Sequence, residues 1–254
     1  MIESERVENI FRILTKQHYE YLHSTEIPFK FSNDPVCDER LKNIKEYPEY
    51  FFIGCLMDRQ IPAERAWTIP YLIHKDYGNI KFDVLKQTSF QKWIAYFEQK
   101  GLHRFNKIMA KVLYDGISKV VKYYKSDPSN IWNDTNDSNK VVKRFREFSG
   151  VGEKISTMAA NILYRDFKIP FDNLKGIDIS PDSQVRKVFY RLGLINDADN
   201  TSEIIQAARK LNPSFPGIFD VTTWEIGRRF CDNTYPHCDL CPLDNYCIKK
   251  NVNK

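Results

Sequence analysis

Glycine is scarce in this chain, with 10 among 254 residues, and proline is held to 12. So few turn-forming residues disfavour a turn-dense all-β architecture and exclude collagen-like or Gly/Pro-rich disordered chains. Long apolar runs are also missing. The longest, Tyr50 to Met57, is too short to cross a bilayer, so no membrane role is expected. The opening MIESERVENIF has neither the basic nor the apolar stretch of a secretory signal, which points to a reducing, cytoplasmic setting for the thiols. Charge of one sign is not in large excess either. Lys and Arg number 38 against 33 Asp and Glu, a net of +5, which permits a polyanionic partner without demanding one.

What is present is helical patterning, in a chain long enough for one large domain or two smaller ones. Val7, Ile10, Phe11, Leu14, His18 and Tyr21 recur at helical spacing, ahead of a connection over Ile27 to Asp38. Further helices are predicted over Phe51–Met57, Ala63–His74 and Phe90–Gln99. From Gly101 to Lys125 the chain carries Arg104, Lys107, Lys111, Lys119, Lys122 and Lys125 against one acid, Asp115. Such a run is either a solvated helix face or a polyanion-binding one. The polar stretch Ser126 to Asn139 reads as a surface loop.

Val141, Val142, Phe145 and Phe148 mark one helix, and Ile155, Met158, Ala159, Ile162 and Leu163 a second, joined through Ser149-Gly150-Val151-Gly152. Glycines allow this turn to be tight and to come close to a ligand. The amides opening the second helix suit a phosphate diester, although an ordinary helical hairpin uses glycine too. Lys154 falls in the first turn of that second helix, where the dipole disfavours a cation; an amine held there can act as a nucleophile, or simply face solvent. Asp182, before the helical pattern of Val185, Val188, Phe189 and Leu192, is the expected N-cap and a candidate fixed anion; Asp172 and Asp178 compete for that role without leading into such a helix.

The most specific signal lies near the C-terminus. Cys231, Cys238, Cys241 and Cys247 follow the spacing C-x6-C-x2-C-x5-C, flanked by Arg228, Arg229, Lys249 and Lys250. Four thiolates suit a four-iron, four-sulfur cluster, with basic flanks offsetting the charge. Zinc also accepts four cysteines, but usually as two short pairs, and only Cys238 and Cys241 form one.

The cysteine loop CDNTYPHCDLCPLDNYC, the hairpin FSGVGEK and the downstream DSQVRKV, in this order, resemble the endonuclease III and MutY branch of the helix-hairpin-helix DNA glycosylases. GCLMDRQIPAERAW and GLHRF are similar to two loops with which that family enters the duplex. The resemblance covers roughly Pro48 to Cys247. It implies an all-α fold in two parts: a six-helix barrel with the helix-hairpin-helix over residues 42–172, and an iron-sulfur cluster domain from residues 1–41 and 173–254. It further implies that Lys154 is a Schiff-base nucleophile and Asp182 the catalytic carboxylate. Gln60 would fill the gap left by an extruded base, and Leu102 would be an apolar wedge, with His103 and Arg104 beside it on DNA. Gly150, Val151 and Gly152 would meet the phosphate backbone, and Cys231, Cys238, Cys241 and Cys247 would ligate a 4Fe-4S cluster. The implied activity is that of a DNA glycosylase with associated AP lyase activity. Its partner would be double-stranded DNA containing a damaged or modified base, bound by a nucleoid-associated monomer.

The chain departs from the family at several points. Ser149 stands where proline is usual, and Gln184 where endonuclease III has histidine. The connection from Lys154 to Asp182 is long, with an insertion around Phe167 to Ile179, and the charged pair Asp58-Arg59 precedes Gln60. Asp58, Arg59, Gln184 and the insertion are therefore expected to shape the base pocket. Two alternatives stay open: a glycosylase specialised for an oxidised purine, a mismatch or a hypermodified cytosine, and a catalytically silent iron-sulfur module that binds DNA.

Overall fold

A computed structural model describes residues 2–252, and among these the chain is all-α, with twelve α-helices and no strand. They are α1 (Glu3–His23), α2 (Pro35–Lys42), α3 (Pro48–Met57), α4 (Ala63–Tyr77), α5 (Phe82–Leu85), α6 (Phe90–Lys100), α7 (Asn106–Tyr123), α8 (Ser138–Arg146), α9 (Glu153–Arg165), α10 (Ser183–Arg191), α11 (Thr201–Leu211) and α12 (Asp220–Arg229). Every helix expected from apolar spacing is found. The chain divides into two compact units, one of residues 26–159 and one assembled from the segments before 26 and after 159.

These bounds differ from the expected 42–172 and 1–41 with 173–254. The change of unit falls inside α9, a continuous helix, where neither turn nor composition marks it. Residues 26–41 go with the middle unit because the fully buried Phe31 lies 5.0 Å from the Trp67 ring, and the Ser32 hydroxyl meets that of Thr68 at 2.9 Å. The expected connection there also contains α2, which opens with Asp34 accepting from the Cys37 amide.

The middle unit is built around α3, whose ten residues are all buried. A helix apolar on every side has to be surrounded. Phe51 meets Trp67, Trp132 and Phe145, and Phe52 meets Phe82 and Phe148. Gly54 lets α4 approach, since a Cβ there would stand 2.3 Å from the Trp67 ring. Trp132 also corrects the reading of Ser126 to Asn139 as a surface loop. The segment holds a 3-10 turn over Pro128–Ile131, and Ile131 and Trp132 are buried, the latter stacked parallel to Phe145.

In the other unit α1 packs on α12 and on the 3-10 turn Pro216–Phe219, with Phe11 edge-on to Phe219, while α10 lies along α12. The insertion is built into this unit. Ile177 and Ile179 are fully buried, Asp178 pairs with Arg209 at 2.6 Å, and the Lys168 ammonium donates to the carbonyls of Tyr21 and Arg165. No helix among the described residues is long and apolar enough to cross a membrane.

Candidate active site

The turn between α8 and α9 is pinned by two buried side chains, Phe148 and Val151, and closed by the Val151 amide donating to the Phe148 carbonyl. Gly150 adopts φ +81°, a conformation that favours glycine, and any Cβ there would press on Val112 at 3.2 Å. Around Gly152 nothing lies within 4 Å of the place a Cβ would take. The turn therefore offers an open backbone at the start of α9, where the first-turn amides have no partner inside the helix.

Lys154 occupies that first turn, partly exposed, with its Nζ 3.6 Å from Oδ2 of Asp58. Asp58 is the C-cap of α3 and is buried, at 8% exposure. Beyond it the chain turns sharply: the Arg59 amide donates back to the Met57 carbonyl, and Gln60 takes φ +56°, unusual for a residue with a side chain. Gln60 is thereby presented to solvent, while the Arg59 guanidinium lies against Gly150. Asp58, Arg59, Lys154 and the hairpin turn thus form one cluster within the middle unit.

The loop joining α6 to α7 behaves otherwise than expected. Leu102 and His103 are buried, at 3% and 1% exposure, and only Arg104 is exposed, over the Phe105 ring. The Arg65 side chain donates to the carbonyls of Gly101 and Leu102 and holds the loop inward. The His103 amide donates to the Asn106 side chain, its Nδ1 accepts from the Phe105 amide, and its Nε2 is buried without a partner. Burial pushes the His103 pKa down, against the opposing pull of the Arg59 and Met57 carbonyls. Leu102 lines a groove of about 520 Å³ together with Arg65, Thr68 and Lys100. The basic face of α7 is also partly neutralised: Lys107 pairs with Glu98, Lys111 with Asp115 and Lys119 with Glu147.

In the other unit Asp182 caps α10, its Oδ1 accepting from the amides of Gln184 and Val185 at 2.9 and 2.8 Å. The residues leading into it are fixed from beneath. Asp220 accepts from the Ser180 amide at 2.7 Å, the Ser180 hydroxyl at 3.0 Å and the Asn161 amide nitrogen at 3.0 Å. Burial pushes the Asp220 carboxyl up to about 6 against these hydrogen bonds. The Gln184 side chain lies against α12, its Oε1 buried near Gly227.

The cysteine loop is organised around Arg191. Its guanidinium stands 3.2 Å from the Cys231 sulfur and donates to the carbonyls of Cys231, Asp232 and Asn233. Arg6 of α1 donates to the carbonyls of Leu192 and Tyr246, and the Lys249 amide to the Cys247 sulfur. None of the four cysteines is in a disulfide. The Cys241 thiol is pushed up to about 11, mainly by burial and further by the nearby sulfurs of Cys231, Cys247 and Cys238. Among the described residues, no three His, Cys, Asp or Glu side chains converge as ligands of a single ion.

Neither a protein-family model nor a curated protein matches the sequence. Solved structures do. A trapped endonuclease III–DNA covalent intermediate is similar at TM-score 0.57 and 18% identity, over 84% of this chain and 92% of that one. A non-covalent endonuclease III–DNA complex gives TM-score 0.59 and 17% identity over the same shares. This chain shares its fold with endonuclease III. A thermostable thymine-DNA glycosylase has the fold too, at TM-score 0.60 and 12% identity over 96% of both chains.

On the endonuclease III fold, then, the expected residues sort clearly. Lys154, Asp58, Arg59 and the turn glycines come together, Gln60 and Arg104 are exposed, and Asp182 is a cap. Leu102 and His103 are buried where a wedge was expected, the Val151 side chain and amide are engaged inside the turn, and Gln184 packs against α12. Asp220 and Asn161 were missed, because nothing local distinguishes a buried acid in α12 or an asparagine in α9; only the fold brings them under Ser180.

Proposed function

We propose that this chain is a DNA glycosylase that excises a damaged or modified base from double-stranded DNA and then cuts the strand as an AP lyase. Lys154 carries the reading: a lysine in the first turn after the hairpin, beside a buried carboxylate 3.6 Å away, on a fold shared with an endonuclease III trapped covalently on DNA. A base stacked in a duplex is out of reach of any side chain, so it is first flipped out at a cost of a few kcal/mol. Gln60, already turned to solvent by its left-handed backbone, takes the vacated space. The open turn at Gly152 and the start of α9 receive a backbone phosphate.

As the bond from C1′ to the base lengthens, the sugar becomes cationic, and the carboxylate of Asp182, fixed by its two amides, stabilises it. The Nζ of Lys154 bonds to C1′ while the base departs with the electron pair. Opening of the C1′–O4′ bond leaves an imine. Loss of a C2′ proton then drives out the 3′ phosphate, and the strand is cut. Binding that rests on phosphate contacts weakens as salt rises.

By their number and spacing the four cysteines suit a 4Fe-4S cluster. The Arg191 cation on Cys231 and the Lys249 amide on Cys247 are the donors that stabilise thiolate ligands. Held by Cys231, Cys238, Cys241 and Cys247, such a group would cross-link the loop and supply no step of the base excision. Duplexes each carrying one oxidised pyrimidine, oxidised purine, mismatched thymine or hypermodified cytosine test the function. Release of at least one base supports it; binding to all without release favours a silent DNA-binding module.

A further inference from the structure

The proposed reaction leaves one demand unmet. A protonated amine has no lone pair with which to attack C1′. Something must take its proton at the moment of attack. Asp182 is committed to two backbone amides of α10 through Oδ1. Within the unit that holds Lys154, the acid nearest its Nζ by an ion-pair contact is Asp58, at 3.6 Å.

We infer that Asp58 is the proton acceptor for Lys154. This rests on the reading of Lys154 as the Schiff-base nucleophile. The placement suits the task. Asp58 closes α3, the most buried helix of the middle unit, and its amide is tied to the Gly54 carbonyl, so the carboxylate is set by a rigid element. Its side chain is nearly enclosed, while Lys154 is exposed enough to meet a substrate. The charged and titratable groups around it include Lys154 from α9, the fully buried Cys55 thiol from α3 itself, Arg59 next in the chain, whose guanidinium is turned to Gly150, and His103 from the loop between α6 and α7, which faces the Met57 and Arg59 carbonyls on either side of Asp58.

A proton passes from Nζ to Oδ2 of Asp58, the freed lone pair forms the Nζ–C1′ bond, and the bond from C1′ to its leaving group breaks with both electrons on that group. The proton then moves to the leaving group, which is the base nitrogen in excision and the C1′ hydroxyl at an abasic site. A positioned acceptor of this kind contributes about 10² to 10⁴ in rate.

Single-turnover borohydride trapping on an abasic duplex, from about pH 6 to pH 9, tests this with the wild type, Asp58→Asn, Asp58→Ala and Lys154→Ala. At neutral pH Asp58→Asn is expected to trap at least about 100-fold more slowly. The deficit should narrow as pH rises and hydroxide takes over as the acceptor. Formate, which fits the space left in Asp58→Ala, should recover at least about tenfold of the loss. A helical circular dichroism spectrum and a cooperative thermal melt of the variants separate chemistry from folding; if the Asn variant does not fold, the Ala variant with formate carries the test. Trapping by Asp58→Asn as fast as, or faster than, the wild type at neutral pH would overturn the inference, because an anion that merely held the ammonium in place slows attack. Adduct formation by Lys154→Ala would instead overturn the assignment of the nucleophile, and the role of Asp58 with it.

Discussion

The guanidinium of Arg191, itself buried, stands 3.2 Å from the sulfur of Cys231 and at the same time donates to three carbonyls of the cysteine loop. One cation thus shapes the loop and faces a proposed cluster ligand. Replacing it with an apolar side chain of similar length, Arg191→Met, removes both effects. Iron and sulfide analysis of the purified protein should give a full cluster in the wild type. The variant should hold its metal about 10- to 100-fold less tightly in competition with a chelator, as expected for a lost partner of a metal ligand. Wild-type protein that contains zinc and no iron would contradict the cluster assignment.

Gly54 and Gly152 make opposite predictions. A methyl group at Gly54 would lie 2.3 Å from the Trp67 ring, whose neighbours Phe31 and Phe51 leave it no room to retreat. Gly54→Ala is expected to cost about 1–3 kcal/mol, lowering the melting temperature by roughly 2–10 °C for a chain of this size. Gly152→Ala, with nothing within 4 Å, should melt like the wild type but bind duplex DNA more weakly. Thermal melts with binding measurements at fixed salt check both.

These residues also mark what sequence alone could and could not convey. Helix periods, the hairpin, the cap at Asp182 and the position of Lys154 all depend on neighbours close in the chain, and were legible. The inward turn of Leu102 was not, because it depends on Arg65 reaching across from α4 to the Gly101 and Leu102 carbonyls. The contact of Gln184 with Gly227 of α12 is likewise set by tertiary packing. The unit boundary inside α9 and the network of Asn161, Asp220 and Ser180 are products of tertiary packing, with no local signature.

His18 sets an acid limit on stability. It is fully buried in α1, edge-on to Phe215 at 4.9 Å, and neither ring nitrogen has a hydrogen-bond partner. Burial, with Arg165 and Lys168 adding to it, pushes its pKa down to about 3. The unfolded chain takes up this proton near pH 6.5 and the folded one only near pH 3, so the stability His18 confers is complete above pH 6.5 and is lost as pH falls through that window. At pH 4 the loss is roughly 3 kcal/mol. Urea unfolding at pH 7 and pH 4 should show a smaller loss for His18→Leu than for the wild type, by about that amount.

The most direct test of the account is whether Lys154 bonds to DNA. Borohydride reduction of a mixture of protein and an abasic duplex should leave a covalent protein–DNA adduct with the wild type and none with Lys154→Ala, although that variant still binds the duplex. No adduct with the wild type, or an equal adduct with Lys154→Ala, would contradict the account.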